Sequence, residues 1–395
     1  MRYYIIAGEA SGDLHASNLM KGLYRIDSDA AIRFRGGENM LKVFSQCRPC
    51  PGSDEGMAQD YRNGAVMGAV EILVKAVYLL RSLENCKADI ASFNPDVVIL
   101  VDYPGFNLKI AEWAHRKGLK VFYYIAPKVW ASREWRIRKI KAFVDKMFIV
   151  FPFEKAYFDS KGLPYIYCGN PLVDAVEESP AMHCGKDALK QGLGYDSATP
   201  VIALLAGSRL SEVKTMMPMF SEIAASMHSK PQFASYKFII AGAPGRKAED
   251  YGEFDRSYID LKFGATQEIV RAADAAVINS GTASLEAALL GTVQVVAYKF
   301  PFALTYYLAK WFFFKAKYIS LGNYCLDKLV FKEFYRKEDC NAATVQAELE
   351  RLLTDIPYRE AMKKDYEAIR ESLGGAGASE RVAGEMVKLL GSNSR

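Results

Sequence analysis

The chain contains the stretch Val201-Ile-Ala-Leu-Leu-Ala-Gly-Ser-Arg-Leu-Ser-Glu212, and this stretch indicates how the chain folds. Its first five residues are all apolar, which is typical of a parallel strand that is covered on both faces. A Gly-Ser turn follows, and the next residues begin a long helical pattern. A strand, a tight turn and a helix in this order form the first half of a βαβ unit, so the stretch predicts an α/β protein.

Other apolar runs of the same kind alternate with helical patterns along the chain. Two sets of strands predict two Rossmann-like parallel-sheet domains. We place these domains at residues 1–170 and 171–365, and we expect residues 366–395 to form a helical C-terminus that packs back on the first domain or on a partner subunit. The predicted strands are Tyr3–Ala7, Val97–Val101, Val121–Ile125, Met147–Val150, Val201–Leu205, Lys237–Ala241, Ala276–Ile278 and Gln294–Tyr298.

The composition is that of an ordinary globular protein. The 395 residues include 51 Lys and Arg against 46 Asp and Glu, half of the residues are apolar, and these values argue against a disordered chain. Seven Cys is an odd number, which leaves at least one unpaired. With no signal-peptide pattern, we expect a reducing cytoplasm. No uninterrupted apolar window reaches the length of a membrane span.

Two loops in the second half combine glycine with residues suited to anions. Gly207-Ser-Arg209 follows a strand and places an arginine, with its fork of donors, at a helix start. Ser280-Gly-Thr282 also opens a helix, and Glu286 follows one turn later, where it could accept hydrogen bonds from a ribose. The alternative is ordinary capping, with Arg209 paired to Glu212. Because ligands of open α/β sheets bind beyond the carboxyl ends of the strands, we expect a phosphate-bearing ligand there.

Acidic residues follow two strands of the first half. Asp102 comes directly after a buried strand, which suits a general base. Glu9 and Asp13 lie in the loop and helix start after the first strand and are rival candidates. The alternative for Asp102 and Asp13 is a role in capping or turns. The loop that holds Glu9 and Asp13 does not match G-x-G-x-x-G, so dinucleotide binding has weak support.

Two segments combine aromatic side chains with cations. Residues 300–320 contain nine aromatics and three Lys without an acid, and the centre of this segment suits the headgroup boundary of an anionic leaflet. The alternative is a core helix with snorkelling lysines. Residues 126–136 interleave Trp with Lys and Arg, which suits an anionic lipid, a phosphate-bearing sugar or a solvated basic helix. No RNA-binding fold signature accompanies them, so nucleic acid is not expected. The membrane candidates are Lys310, Trp311, Phe312, Phe313, Phe314 and Lys315.

No metal site or cofactor is expected. Cys47 and Cys50 form a single C-x-x-C with no second pair, and the four His show no ligand spacing. Asp27-Ser-Asp29 is the only D-x-D, and it follows a helix instead of a strand. We therefore expect cations and helix N-termini, without a metal ion, to bind a diphosphate.

At these motifs the chain resembles the lipid-A-disaccharide synthases, which are bacterial glycosyltransferases with two Rossmann domains facing a cleft (GT-B architecture). The likeness covers most of the chain, and the first loop and the Gly-Ser-Arg loop are the most specific parts. Five positions depart from the usual family pattern, and Gly105 stands where a second Asp is usual. The others are Ser132, Asn170, Ala206 and Gly322. The matching motifs are Ala7-Gly-Glu-Ala-Ser-Gly-Asp13, Arg35-Gly-Gly37, Val66-Met-Gly68, Ala126-Pro-Lys-Val-Trp130, Gly169-Asn-Pro-Leu172, Gly207-Ser-Arg209, Ser280-Gly-Thr282 and Ser320-Leu-Gly-Asn323.

The resemblance implies an inverting condensation at the inner leaflet of the cytoplasmic membrane. UDP-2,3-diacylglucosamine would donate its sugar to 2,3-diacylglucosamine 1-phosphate (lipid X), giving a β-1,6 disaccharide 1-phosphate and UDP. A homodimer is compatible with the sequence. Alternatives are another UDP-sugar enzyme of this fold, a UDP-sugar epimerase, or a non-enzymatic lipid-binding protein. The residues expected at the UDP-sugar are Gly207, Ser208, Arg209, Ser280, Gly281, Thr282, Glu286 and Asn323.

Overall fold

The computed structural model describes the backbone of residues 1–48, 51–60, 71–130, 132–279, 281–299 and 317–392, and the side chains of the same residues except 71–77. The chain divides into two units. One consists of Met1–Ala175 with Leu373–Arg395, and the other of Val176–Ser372. The first unit is therefore built from both ends of the chain. The domain limits predicted from the sequence, after residues 170 and 365, lie a few residues before the two boundaries between these units.

The first unit contains a parallel sheet of seven strands in the order β3-β2-β1-β4-β5-β6-β7. Strands β1 and β4 pair in register from Tyr3 opposite Val97 to Ala7 opposite Val101, so they end side by side. Every residue of β4 is buried, as expected for a strand between two helical layers. The strands are β1 (Arg2–Ala7), β2 (Ala31–Gly36), β3 (Gly56–Asp60), β4 (Val97–Val101), β5 (Lys120–Tyr124), β6 (Lys146–Ile149) and β7 (Ile166–Tyr167).

The helices around this sheet include the last helix of the chain, α16, which packs on α1. Gly22 of α1 allows the close approach, because a Cβ there would lie 2.9 Å from the Cβ of Ala383. The carboxylate of Asp174 accepts the first amides of the last helix, from Gly377 (2.7 Å) and Ser379 (2.7 Å) among others. The helices are α1 (Ala10–Ile26), α2 (Glu38–Cys47), α3 (Glu71–Phe93), α4 (Pro104–Arg116), α5 (Ile137–Phe143), α6 (Pro152–Ser160), α7 (Pro171–Glu177) and α16 (Ala378–Gly391).

The second unit contains a parallel sheet of six strands in the order β10-β9-β8-β11-β12-β13. Its strands are β8 (Val201–Leu205), β9 (Lys237–Gly242), β10 (Ile259–Phe263), β11 (Ala275–Ile278), β12 (Gln294–Ala297) and β13 (Glu333–Phe334). Its helices are α8 (Pro180–His183), α9 (Lys186–Gly192), α10 (Leu210–His228), α11 (Thr266–Ala272), α12 (Gly281–Leu289), α13 (Leu321–Leu326), α14 (Ala342–Thr354) and α15 (Ile356–Ser372).

These two parallel α/β units and the helical C-terminus confirm the fold class predicted from the sequence. The strands predicted as continuous apolar runs are present as β1, β4, β5, β6, β8, β9, β11 and β12. Within the described ranges, no helix combines the length and the apolar character needed to cross a bilayer.

Candidate active site

Each sheet has one switch point, where neighbouring strands are not consecutive in the chain and the strand order reverses. The switch point lies between β1 and β4 in the first unit and between β8 and β11 in the second. Ligands of open α/β sheets bind beyond the carboxyl ends of the strands at this point. Glu9 and Asp102 follow the first pair of strands, and Arg209 and Gly281 follow the second pair. Each unit thus has sequence-predicted residues at its own switch point.

Asp102 has an unusual backbone conformation at the end of β4. Both Asp102 and Tyr103 have φ of +46°, in the left-handed region that most side chains avoid. The amide of Asp102 donates to the carbonyl of Tyr124 (3.1 Å). The carbonyl of Asp102 accepts from Nδ2 of Asn107 (2.8 Å) and from the hydroxyl of Tyr123 (2.6 Å). Such conformations persist only where the surroundings hold them, and they are concentrated at functional sites.

The surroundings of Asp102 also change its proton affinity. Burial raises the pKa of its carboxyl above the ordinary value. The positive charges of Lys128 and Arg136 act in the opposite direction, and the negative charge of Glu9 raises the pKa further. A carboxylate with a raised pKa is a better proton acceptor than an exposed one, so Asp102 is suited to general-base chemistry.

Gly8 shapes the wall beside this acid. A Cβ at Gly8 would lie 2.2 Å from Cδ1 of Tyr103, so the ring occupies the space that any larger residue needs. The ring of Tyr103 stacks on Phe106, with 5.7 Å between the ring centroids. Both rings line a cavity of about 80 Å³ together with Arg35, whose Nη2 donates to Oγ of Ser82 (2.9 Å). The first glycine of this loop therefore allows close packing of an aromatic ring.

The two rival acids occupy different environments. Glu9 is exposed at the N-cap of α1, and its side chain makes no capping hydrogen bond. Asp13 is buried, and its carboxylate accepts the amides of Gly37 (2.6 Å), Asn39 (3.0 Å) and Met40 (3.3 Å). Asp13 thus holds the start of α2 against α1, which is a structural role. Asp102 combines a partly buried position directly after a strand with a raised pKa.

The Gly-Ser-Arg loop of the second unit is arranged around Glu212. Gly207 has φ of +98°, and a Cβ there would lie 2.5 Å from Oε2 of Glu212. This oxygen accepts the amides of Ser208 and Arg209 (3.1 Å each), and Oε1 accepts from Nη1 of Arg209 (3.0 Å). The ion pair between Arg209 and Glu212, considered as an alternative in the sequence analysis, is therefore present. It forms because a glutamate at the third helical position reaches back to the N-cap. The side chain of Arg209 is still 73% exposed.

The start of α12 contains the other predicted phosphate residues. Gly281 is the first residue of the helix, and Thr282 is exposed in its first turn. Glu286 accepts from Nε2 of Gln267 in α11 (2.6 Å), and burial raises the pKa of its carboxyl. The sequence analysis missed Gln267, because no local pattern links α11 to α12. Ser280 lies outside the described residues.

Two asparagines differ in how their polar atoms are used. Asn279 is buried after β11, and its Nδ2 donates to the carbonyl of Ala206 (3.0 Å) across the switch point, while its Oδ1 has no hydrogen-bond partner within the described part of the chain. Asn323 is 0% exposed. Its Nδ2 donates to Oε1 of Glu333 (2.8 Å) and its Oδ1 accepts the amide of Val330 (2.8 Å). Asn323 therefore connects α13 to β13 and to the segment before it, and its contact with a nucleotide stays a prediction.

Glu154 is a buried acid that the sequence analysis missed. It accepts the amides of Val150 (3.1 Å) and Phe151 (3.0 Å) and Nε1–H of Trp130 (3.3 Å). Burial raises the pKa of its carboxyl to about 7. The sequence feature that could have identified Glu154 is its position as the third residue of a helix that begins with Pro152. An acid at this position is typical of helix capping.

The predicted membrane segment from Lys310 to Lys315, with Trp311, Phe312, Phe313 and Phe314, lies outside the described residues. Among the residues that the structure does describe, no group of three or more His, Cys, Asp and Glu side chains could hold a metal ion.

Two parallel α/β units of this kind, each with one switch point, define the class of proteins with the two-domain GT-B fold. Solved structures agree with this fold. UDP-GlcNAc 2-epimerase from Neisseria meningitidis is similar with a TM-score of 0.69 at 13% identity, over 98% of this chain and 100% of that chain. The calicheamicin glycosyltransferase CalG4 is similar with a TM-score of 0.57 at 14% identity, over 100% of both chains.

The family is shown by closer relatives. A family model described as lipid-A-disaccharide synthetase matches residues 3–382. The lipid-A-disaccharide synthase of Geobacter sulfurreducens is 33% identical over 99% of this chain and 97% of the relative. Lipid-A-disaccharide synthase 1 of Legionella pneumophila is 33% identical over 95% of this chain and 94% of the relative. The chain belongs to the lipid-A-disaccharide synthase family.

This membership confirms the predicted activity. The chain is a glycosyltransferase of lipid A biosynthesis, and its reaction is the condensation that forms the lipid A disaccharide from a UDP-sugar and lipid X. The alternatives of an epimerase or a non-enzymatic lipid-binding protein are not favoured.

Proposed function

We propose that Asp102 is the general base of an inverting sugar transfer from UDP-2,3-diacylglucosamine to lipid X. The oxygen of the acceptor's 6-hydroxyl forms a bond to the anomeric carbon of the donor. The bond between that carbon and the diphosphate oxygen breaks, and its electron pair leaves with UDP. The hydroxyl proton passes to the Asp102 carboxylate. One displacement of this kind inverts the anomeric carbon and gives a β linkage.

The observation that carries this proposal is the strained backbone of Asp102. Asp102 and Tyr103 are consecutive non-glycine residues that both have φ of +46°. The left-handed region costs most residues about 1–2 kcal/mol; Asp tolerates it better than most, so the larger share of the strain is at Tyr103. The hydrogen bonds from Tyr123 and Asn107 fix the residue in this conformation. The carboxyl also has a raised pKa, which a base for a sugar hydroxyl needs more than a capping acid does.

The test compares Asp102→Asn with Glu9→Gln. The Asn variant keeps the shape of the side chain and removes the base, so we expect kcat to fall by about 10²–10⁴-fold while the fold is kept. Glu9→Gln is expected to keep most of the turnover, because Glu9 is exposed and acts on Asp102 only through charge. Disaccharide formation is measured by mass spectrometry, and circular dichroism checks the fold. Full turnover by Asp102→Asn would remove the base assignment.

On the donor side, we assign the UDP-sugar to the second switch point. The exposed guanidinium of Arg209 supports this placement, together with the N-terminus of α12 at Gly281 and Thr282. Since these groups oppose the charge of the leaving diphosphate, we expect turnover to need no metal ion. Turnover that continues in EDTA supports this proposal, and turnover that EDTA abolishes and Mg²⁺ restores contradicts it.

The acyl chains of both substrates support peripheral attachment to the inner leaflet of the cytoplasmic membrane. The segment with Trp311 and its flanking lysines is the candidate contact. Flotation with anionic vesicles should carry the protein, and Lys310→Gln with Lys315→Gln should weaken the binding in a salt-dependent way. Binding that is unchanged in this double variant would place the contact elsewhere. A homodimer also stays a prediction, and sedimentation equilibrium of the full chain tests it.

A further inference from the structure

The loop that joins β5 to α5 carries cations that the reaction described above does not use. This β5–α5 loop comprises residues 125–136, of which 131 lies outside the described residues. It contains Lys128, Arg133 and Arg136, and α5 adds Arg138 directly afterwards. Lys128 and Arg133 are exposed, and Arg136 is half-buried.

Contacts with the body of the first unit fix the loop. Val129 is buried, and its carbonyl accepts from the hydroxyl of Tyr157 (3.3 Å). The ring of Trp130 lies edge-on against Phe153 at 4.9 Å, and its Nε1 donates to the buried Glu154 (3.3 Å). Lys128 is therefore followed directly by two residues that are held against the body of the first unit.

The charges of the three loop cations are not neutralised at salt-bridge distance within the described part of the chain, although Asp102 lies close enough to raise the pKa of Arg136. Among the described residues, Lys128, Arg133 and Arg136 form no ion pair, whereas Glu134 between them is paired with Lys161 (2.5 Å). Arg136 instead lies over the ring of Trp135, at 5.7 Å from the ring centroid. Burial lowers the pKa of the Arg136 guanidinium, and the like charge of Arg133 lowers it further. An anion bound among these side chains would relieve that repulsion.

The fold brings this cluster next to Asp102. Strands β4 and β5 are neighbours, and Val101 pairs with Tyr124 at their carboxyl ends. The segments that follow them, with Asp102 on one and Lys128 on the other, thus leave the sheet side by side. Lys128 and Arg136 are both close enough for their charges to lower the pKa of Asp102. The cations therefore flank the acid without forming a salt bridge to it.

We propose that Lys128, Arg133 and Arg136 bind the phosphate monoester of the acceptor sugar. This inference rests on the proposed function of Asp102 as the base. In lipid X the phosphate is on carbon 1 and the attacking hydroxyl is on carbon 6. Carbon 6 is attached to carbon 5, which lies on the other side of the ring oxygen from carbon 1. When the 6-hydroxyl contacts Asp102, the phosphate must therefore lie at a separate site next to Asp102, and the loop is in a position to provide that site. A guanidinium fork and an ammonium are suited to a dianionic phosphate.

A membrane surface is the other anion that this loop could contact, because Trp135 is 62% exposed beside the cations. Three observations favour the acceptor phosphate. Lys128 and Arg136 act on the charge of Asp102, Val129 and Trp130 next to Lys128 bind Tyr157 and Glu154, and Arg136 is half-buried. A lipid headgroup site needs none of these features.

The experiment compares two acceptors, lipid X and the same diacylglucosamine without its phosphate. Lys128→Gln, Arg133→Gln and Arg136→Gln are measured with the full-length protein. The matched control is Arg138→Gln, an exposed arginine two residues after Arg136 with no ion pair among the described residues. We expect each of the three variants to lower kcat/KM for lipid X by roughly 10- to 100-fold, as for a lost charged hydrogen bond. We expect the dephosphorylated acceptor and the KM for the donor to change by less than about threefold.

Several outcomes would overturn the proposal. One is an equal loss with both acceptors, and another is an equal loss in Arg138→Gln. Weaker binding to anionic vesicles, with the preference for the phosphorylated acceptor intact, would assign the loop to the membrane. Arg136→Lys keeps the charge and should recover part of the preference, which separates phosphate binding from misfolding. Failure of the base assignment is distinguishable from failure of the phosphate-binding proposal. If only the base assignment fails, Asp102→Asn retains turnover while the loop variants still change the acceptor preference.

Discussion

The two switch points solve a similar geometric problem with different residues. In the first unit the chain leaves β4 through Asp102 and Tyr103, two non-glycine residues whose backbone φ is +46°. In the second unit it leaves β8 through Gly207, at φ of +98°. Glycine adopts this region without steric cost, whereas other residues are strained there.

The difference shows what each site needs. At position 102 the chain has a carboxylate where a glycine would adopt the backbone conformation without strain, which fits the proposed role of Asp102 as the base. At position 207 the space of a side chain is taken by the carboxylate of Glu212 and the amide of Asn279, so the backbone has to approach them closely. The first site thus depends on one side chain, and the second on a tightly folded loop that presents Arg209.

Arg209→Ala is the change with the largest expected effect in the second site. We expect kcat/KM for the donor to fall by about 10²–10³-fold, because one group that stabilises the leaving diphosphate is lost. Arg209 is 73% exposed, and the buried Glu212 keeps the amides of Ser208 and residue 209 as donors, so the free energy of unfolding should change by less than about 1 kcal/mol. Steady-state kinetics measure kcat/KM, and urea unfolding measures the free energy of unfolding. Arg271→Ala would not be a suitable control, because Arg271 donates a hydrogen bond to the carbonyl of Leu290. Lys214→Ala, one turn into α10, is the appropriate exposed control. Unchanged kinetics would contradict the role of Arg209.

Gly207→Ala tests the need for a glycine in this loop. We expect a loss of about 2–4 kcal/mol in the free energy of unfolding, since left-handed strain adds to the contact with Glu212. Gly245→Ala is the matched control, because Gly245 has φ of +77° and no atom within 4 Å of its Cβ position. It should show the strain alone, at about 1–2 kcal/mol. Equal losses in chemical denaturation would show that the contact with Glu212 contributes nothing.

Asp13→Asn separates a structural acid from a catalytic one within the first unit. The buried carboxylate accepts three amides, so we expect a loss of about 1–3 kcal/mol in stability and near-normal kcat in the folded protein. Asp102→Asn should show the opposite, with turnover lost and stability maintained, because burial disfavours its charge. Asp29→Asn, exposed in a turn, is the control for Asp13→Asn. A loss of turnover in Asp13→Asn without destabilisation would restore Asp13 as a candidate base.

Glu154 gives the smallest predicted effect, a change of stability with pH. The pKa of its carboxyl is raised from 4.5 to about 7 in the folded protein, so folding takes up a proton between these values and ionisation above them opposes folding. Its contribution is most favourable below pH 4.5 and is lost as the pH rises through about 7. Between about pH 6 and about pH 8 the loss should be about 1 kcal/mol in excess of that in Glu154→Gln. Unfolding curves of both proteins at several pH values measure it, and parallel pH profiles would contradict the assignment.

The sequence predicted the strands that are buried on both faces, and it missed others. β4 and β8 are apolar at every position, because helices cover them on both sides. The missed strands β2 and β10 mix charged with apolar residues, and β7 and β13 have only two residues each. In β2 the charged residues Arg33 and Arg35 are held by Asp89 and Ser82 from a helix that is distant in the sequence, so the hydrophobic pattern of the strand is weak.

The candidate site was predicted where a motif follows a strand directly. Asp102 and Arg209 come immediately after buried runs, so their position at a sheet end follows from local sequence. The partners that define their environment, such as Tyr123 for Asp102 and Gln267 for Glu286, come from other elements. Their contacts depend on which strands and helices are neighbours, and no spacing along the chain encodes this.

The sequence by itself determined the two-sheet α/β fold, the family and the loops that carry the chemistry, because apolar periodicity and short motifs are local properties. Only the tertiary structure decided the environment of each candidate acid. Asp13 and Asp102 both follow strands in the sequence, yet one is enclosed by the amides of α2 and the other lies in a turn at φ of +46°, near cations that form no ion pair among the described residues. The charge and hydrogen bonding of an acid depend on atoms that are distant in the chain, and folding alone brings those atoms together.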